Sequence, residues 1–416
     1  MASNAKNLAE LLNQDSTVAV GDIADGSVTT AKLADGGVTT AKVADNAITS
    51  AKALNLGRRN LLINGAMQVV QRGSTTFAHD GTTSGFSLDR FNMALGGTHE
   101  QLDGTLAQAA DHPTSVNGKS LKWTTGTAES AIASDEALFF THKVEAQNLQ
   151  HLQFGNSNAL TTSLSFYVKC SITGTFSISL RKDDTTKRMS NRTYTINSAN
   201  TWEKKTFTFT GDTDSGAGIV NDSGEGIRIM WHLMAGSDFL GGGNFTSWKD
   251  YATNDFAAGL ATNAIATTAS ATWQLADVQW EVGSQATPFE QRSFGEELAL
   301  CQRYFYAFAD GSKLSSQHIG VAANYASTAL YMTVNPKTTM RATPTLDQTT
   351  GSNYYRAFST TISGNSDLFD EFIIGSASTN EIFELKGQTN VSVTAGEATF
   401  IRFNNASAKL FFDAEL

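Results

Sequence analysis

Hydrophobic positions along the chain change rhythm twice, and each rhythm predicts a different element. Residues 4–13 place Leu8, Leu11 and Leu12 on one helical stripe, with Ser3 or Asn4 as N-cap, which predicts a short helix within residues 1–14. So short a helix is marginal alone in water, so it needs a surface, or copies of itself, to dock on. From Asp15 to Leu54 the sequence repeats every ten residues: DSTVAVGDIA, DGSVTTAKLA, DGGVTTAKVA, DNAITSAKAL. Val18, Val28, Val38 and Ile48 fill the fourth position, and Ile23, Leu33 and Val43 the ninth. A spacing of five fits neither the helical period nor a straight strand, but it fits short β segments broken at Asp25-Gly26, Asp35-Gly36 and Asp45-Asn46. Each repeat offers two apolar side chains against an ordering cost on the order of 1 kcal/mol per residue, so several chains must share the core. This predicts an intertwined trimeric β stalk over residues 15–56; a small monomeric solenoid is the rival.

From residue 57 the texture turns to short, alternating, Thr- and aromatic-rich runs separated by Gly, Asp and Asn. Strands are expected at 61–70, 120–124, 164–169, 175–181, 202–210, 227–233 and 272–281, spaced closely enough for a β-sandwich over residues 57–291. The segment SFGEELALCQRYFYAF at 293–308 carries a helical spacing before an aromatic run and predicts a helical joint to a second, smaller β domain at 292–416. Strands are expected there at 327–334, 368–374, 381–386 and 398–403. The fold class is all-β.

Composition narrows the function. The 416 residues carry 30 Lys plus Arg against 40 Asp plus Glu, a net charge of −10, the wrong sign for a protein that binds nucleic acid by releasing counterions. The first residues lack a basic and then apolar export signal, and no run approaches the roughly 18 apolar residues of a membrane span, so neither Sec export nor membrane insertion is expected. Cys170 and Cys301 each sit in an apolar stretch and read as buried, reduced thiols.

NLLINGAMQVVQRG at 60–73, followed by SLDRF at 87–91, resembles the opening of a module common in the fibre proteins of tailed bacteriophages. ANTWEKKT at 199–206, the loop GDTD at 211–214 and LADVQWEVGSQATPFEQR at 275–292 resemble the rest of it. ELALCQRY at 297–304 and MRATPT at 340–345 are similar to the segments that follow, and the Thr-Thr-Ala-Lys decapeptides look like phage fibre stalks. The resemblance covers most of residues 15–350. It implies a jelly roll related to carbohydrate-binding modules, carried on trimeric virion fibres that contact the host surface. Ala66 and Val70 stand where many members have an acidic and an aromatic residue, which argues against carrying over a cation at that motif.

No catalytic constellation emerges. The seven histidines show no close pairing, and neither a Gly-x-Ser-x-Gly elbow nor a Walker loop is present. The adjacent acids Asp183-Asp184 and Glu296-Glu297 point apart on a strand or a helix. The chain is therefore expected not to be an enzyme and to need no cofactor. Asp212 and Asp214, with Asp222 nearby, have the alternation of a calcium loop but lack the terminal Glu of an EF-hand, which leaves them weak calcium candidates.

Sugars need flat apolar faces flanked by amides, carboxylates and hydroxyls. Trp248 and Tyr251 after a glycine-rich loop, and Tyr354 and Tyr355 between turn residues, are candidate platforms, with burial in the core as the rival reading. Trp202, Trp231, Trp273 and Trp280, in alternating runs, read as core. The expectation is a homotrimeric virion fibre, a tail fibre first. It is made in the host cytoplasm, attached to other virion proteins through residues 1–14, and adsorbs to a surface glycan or protein receptor. A purely structural fibre or capsid decoration is the alternative, and a polysaccharide depolymerase the second.

Overall fold

The computed structural model describes residues 58–416 except 74, 78–83, 98, 100, 244, 315–317 and 360–365. The attachment helix and the repeat stalk, with Val18, Ile23, Val28, Leu33, Val38, Val43 and Ile48, lie outside the described residues. Among those described, the chain forms four sheets, and every strand pair is antiparallel.

The first strands are β1 (Thr75–Phe77), β2 (Ser84–Phe86), β3 (Phe91–Gly96), β4 (Gly104–Ala109), β5 (Ser120–Thr125), β6 (Ala137–Glu145) and β7 (Thr162–Cys170). They continue with β8 (Gly174–Lys182), β9 (Arg188–Ile196), β10 (Glu203–Phe209), β11 (Glu225–Ala235), β12 (Lys249–Asp250) and β13 (Thr272–Val282). They form a six-stranded sheet, β1-β4-β5-β13-β7-β10, and a seven-stranded sheet, β12-β9-β8-β11-β6-β3-β2. The inner faces share one core: Phe140 of β6 stacks on Trp273 of β13 at 4.9 Å, and Phe166 of β7 meets Trp231 of β11 edge-on at 5.9 Å. The result is a β-sandwich whose chain crosses repeatedly between its sheets, the winding expected of a jelly roll. Trp231, Trp273 and Trp280 are fully buried, as are both free cysteines. Trp202 is not core: it precedes β10, is half-buried, and donates its Nε1–H to Asp111 Oδ1 at 3.1 Å.

The expected strand at 61–70 is absent, and the reason is local. Asn64 sits at φ +61°, and its side chain closes the turn on Val69 and on the Asp89 carbonyl, so the segment folds onto itself. Asn60 bridges the same segment to β13, accepting from Trp280 N–H and donating to the Val278 carbonyl. Gly65 passes so close to Val278 that a Cβ would lie 2.2 Å from its carbonyl oxygen. At that point β13 bulges, with Asp277 at φ +48°, and its apolar alternation slips from Trp273 and Leu275 to Val278 and Trp280.

The seven-stranded sheet is buried on both sides. Residues 236–243 and 245–266 lie over its outer face, where Ser177, Ser179, Asn191 and His232 are fully buried. Ser177 donates to the Ala258 carbonyl at 2.8 Å, Ser179 pairs with His232 at 3.0 Å, and the His232 ring meets Phe256 edge-on at 4.7 Å. Burial in this apolar cover pushes the His232 pKa down to about 3.

Helix α1 (Phe294–Gln302) starts on a Ser293 cap and ends before the aromatic run at 304–308, which enters strand β14 (Phe305–Asp310) instead of continuing the helix. The remaining strands are β15 (His318–Ala326), β16 (Ala329–Val334), β17 (Thr345–Gln348), β18 (Tyr355–Phe358), β19 (Ser366–Phe369), β20 (Phe372–Ile374), β21 (Phe383–Gly387), β22 (Ala398–Phe403) and β23 (Lys409–Asp413). They make a seven-stranded sheet, β19-β18-β22-β15-β16-β21-β20, and a three-stranded sheet, β14-β23-β17, around a second core. Residues 368–374, expected as one strand, divide at Asp370-Glu371 between β19 and β20.

Residues 58–416 form one compact unit, and charged side chains join its two cores. Arg72 donates to Asp89 at 3.2 Å and to Asp413 and Glu415 at 3.3 Å each, with its guanidinium 3.4 Å over the Phe305 ring. Arg90, fully buried, pairs with Glu415 and lies 3.6 Å over Tyr304, whose hydroxyl donates to Glu145 at 2.7 Å. Arg341 ties the Ser223 carbonyl to the Ala414 and Glu415 carbonyls.

Candidate functional site

Strand β12 is only two residues long, and it pairs Asp250 directly with Arg188 on the edge of the seven-stranded sheet. Beside this edge a cavity of about 300 Å³ opens, lined by Arg188, Thr210, Asp212, Asp214, Ser247 and Trp248. The loop at 210–216 is shaped by its own side chains: Asp214 caps the Gly216 N–H at 2.8 Å. Gly211 passes Ala159 so closely that a Cβ would sit 2.4 Å from its carbonyl. Arg188 is the hub. Its Nε and Nη2 donate to the two oxygens of Asp212, and Nη1 donates to Asp250 at 2.6 Å, with Asp214 3.6 Å away. The Asp212 hydrogen bonds raise the Arg188 pKa above its ordinary value.

Trp248 is half-buried at the rim, anchored by its Nε1–H to the Thr210 carbonyl at 2.7 Å and edge-on to Phe154 at 5.4 Å. The cavity thus offers an indole, a guanidinium, an exposed carboxylate on Asp214, and the hydroxyl-bearing residues Thr210 and Ser247, with the exposed Asp250 carboxylate paired to Arg188 beside it. That combination can hold a small polyol: the ring covers C–H groups while the charged and hydroxyl groups exchange hydrogen bonds with hydroxyls.

The other aromatic candidates go elsewhere. Tyr251 is half-buried with the Arg181 guanidinium 4.1 Å over its ring, and burial raises its phenol pKa. Tyr354 packs against the second core, and its carbonyl accepts from Asn404 N–H. Tyr355 is not a platform: it is fully buried, stacked on Phe369 at 5.4 Å, with its hydroxyl donating to Gln348 and the Lys409 carbonyl.

The three weak calcium candidates differ in what they hold: Asp214 caps Gly216 N–H through one oxygen and is half exposed. Asp212 is held by Arg188, and Asp222 caps Gly224 N–H at 2.8 Å in its own turn. The Lys182 ammonium is buried beside this loop. It donates to the Asp184 carbonyl and Thr185 hydroxyl at 2.6 Å each, and to the Gly218 and Gly216 carbonyls at 3.1 and 3.4 Å. Burial lowers the Lys182 pKa.

Arg188, Asp250 and Lys182 escaped sequence reasoning because each lies in a different segment and only the sheet edge gathers them. A second cavity, about 450 Å³, lies on the open face of the six-stranded sheet between Tyr167, Lys204, Asp277 and residues 286–289. Its wall is fixed by His112, whose Nδ1 accepts the Thr114 and Ser115 N–H groups. The proton therefore sits on Nε2, which donates to Asp277 at 3.1 Å.

The chain matches no family model and no curated protein. Among solved structures it is similar to the enzymatically active domain of tailspike protein 4 of bacteriophage CBA120, at 12% identity and a TM-score of 0.27, covering 54% of this chain and 21% of that one. It is also similar to a family 11 carbohydrate-binding module of Clostridium thermocellum, at 8% identity, TM-score 0.25, and 54% and 96% coverage. A third is the CBM22-1 xylan-binding domain of Paenibacillus barcinonensis Xyn10C, at 10% identity, TM-score 0.25, and 55% and 96% coverage. The chain spans about a fifth of the tailspike domain, and likenesses this shallow carry no argument here.

Proposed function

We propose that this chain is a fibre subunit of a tailed-phage virion, a tail fibre in first place, that adsorbs to host-surface glycans without catalysis or cofactor. Residues 15–56 hold three copies together and residues 1–14 attach them to other virion proteins. The glycan contact is the cavity at Trp248. The observation that carries the reading is the convergence of Trp248, Arg188 and Asp214 in one cavity at the sheet edge, with Asp250 held beside it by Arg188. The motifs that resemble phage fibres support the virion setting. Three weak sites on one stalk multiply into lasting adhesion, so a single site needs only modest affinity.

The test is binding of the full chain to host cells and to an array of surface glycans, with W248A and Y167A alongside and the solution mass recorded by light scattering. The expected result is a mass of about three chains and glycan binding that falls roughly tenfold or more in W248A, the loss of one stacking aromatic from a sugar site. A loss in Y167A alone moves the contact to the six-stranded sheet. No binding by the wild type leaves a structural fibre or capsid decoration, and release of reducing ends from host polysaccharide turns the reading to a depolymerase.

A further inference from the structure

Away from both cavities, three metal-ligating side chains meet at one end of the first sandwich. His99 lies in the β3–β4 connection, and Glu129 and Glu136 lie in the β5–β6 loop. Their side chains are at most 1% exposed. One imidazole nitrogen, His99 Nδ1, stands 3.9 Å from Glu129 Oε2 and 3.9 Å from Glu136 Oε1, and the three ligand atoms lie within 4.8 Å of one another. Neither ring nitrogen has a hydrogen-bond partner among the described residues.

A protonated imidazole bridging the carboxylates does not explain this geometry. A charge-assisted N–H···O bond closes to about 2.7–2.9 Å, and one N–H cannot serve two oxygens at equal, longer distances. Three lone-pair-bearing atoms facing one point are what a cation requires. Two carboxylates buried together are costly unless a positive charge sits between them. The backbone orients them for that purpose. Glu129 accepts from the N–H groups of Gln101, Leu102 and Ser130, and Glu136 Oε2 accepts from Ala133 N–H at 2.9 Å. These bonds fix the carboxylates as outer hydrogen bonds fix metal ligands.

We propose that His99, Glu129 and Glu136 bind one divalent transition-metal cation, Zn²⁺ first, as a structural site that ties the β3–β4 and β5–β6 loops together. One neutral imidazole and two carboxylates carry two negative charges, which a divalent ion cancels in a buried setting. Zinc takes N and O ligands at about 2.0–2.2 Å, so the 3.9 Å separations need to close by about half an ångström to reach tetrahedral angles. Calcium, which prefers six to eight oxygens, fits this imidazole-containing set poorly. The site also braces the cover over the seven-stranded sheet: Glu129 N–H donates to the Ala266 carbonyl at 2.9 Å, and the Glu136 carbonyl accepts from Gly236 N–H at 2.8 Å. The proposal is independent of the glycan reading.

The full chain is unfolded, refolded with a chelator, dialysed and titrated with Zn²⁺ alone and with Mn²⁺ alone by calorimetry, beside H99Q. One equivalent of Zn²⁺ per chain, a Tm rise of roughly 3–6 °C at a hundredfold excess over Kd, and loss of both in folded H99Q are expected. No stoichiometric binding by the wild type, or undiminished binding by folded H99Q, overturns the proposal. If H99Q does not fold, wild-type crystals grown with Zn²⁺ decide: an anomalous peak among the three side chains supports the site, and its absence there rejects it.

Discussion

Asp89 shows how a residue inside a recognisable motif acquires a titration the motif alone does not announce. Burial raises its pKa from 3.8 to about 6, although Arg72 and the Gln71 N–H groups pull the other way. The folded state therefore binds this proton more tightly than the unfolded one, so the contribution is full below about pH 4 and fades as pH rises through about 6. Urea titrations of the wild type and D89N should show the wild type gaining on the variant, by up to ~3 kcal/mol, as pH falls from 7 to 4. A constant difference across that range would contradict it. The pattern of hydrophobic positions flagged Trp231, Trp273 and Trp280 as core, and they are. It could not tell Tyr354 from its neighbour: Tyr355 turns into the second core while Tyr354 lies at its edge, a difference set by which side of β18 faces the sheet beneath.

Among the elements, the strands that were legible are those whose alternation is strong: 398–403 coincides with β22, and 164–169 and 175–181 fall inside β7 and β8, whereas β3, β4, β6 and β9 carried no such signal. The failures are places where side chains compete with the backbone ladder, as Asn64 does. The cover at 236–243 and 245–266 was illegible for another reason. Its apolar residues are scattered, and only their placement over Ser177, Ser179, Asn191 and His232 makes the outer face of the seven-stranded sheet a second interior. Phe256 is its anchor, meeting Phe139 and His232 edge-on at 5.1 and 4.7 Å. F256A should cost about 3–5 kcal/mol in chemical denaturation and speed amide exchange in β8 and β11. An effect below about 1 kcal/mol would mean that the cover is dispensable.

At the scale of the whole molecule, side chains from several sequence motifs meet at one joint. Asn64 N–H donates to Glu297, Arg292 donates to the Leu62 carbonyl at 2.9 Å, and Arg72, Arg90 and Arg341 hold Glu415 and its neighbours. Residues from five separate motifs thus couple the two β cores. Removing the charge of Glu415 leaves Arg90 buried and unpaired, which typically costs about 3–5 kcal/mol. E415Q should therefore split the single calorimetric transition expected of the unit into two, the C-terminal half melting first; one unshifted transition would show that other contacts suffice. By itself, the sequence determined the all-β class of residues 58–416, the strongly alternating strands such as β7, β8 and β22, and the buried Trp231, Trp273 and Trp280, because alternation and turn residues are local properties of the chain. Only tertiary structure decided which charges meet. Arg188 with Asp250, Lys182 with the Gly216 and Gly218 carbonyls, Arg90 with Glu415, and His99 with Glu129 and Glu136 join segments far apart in sequence, and no spacing rule records such a meeting.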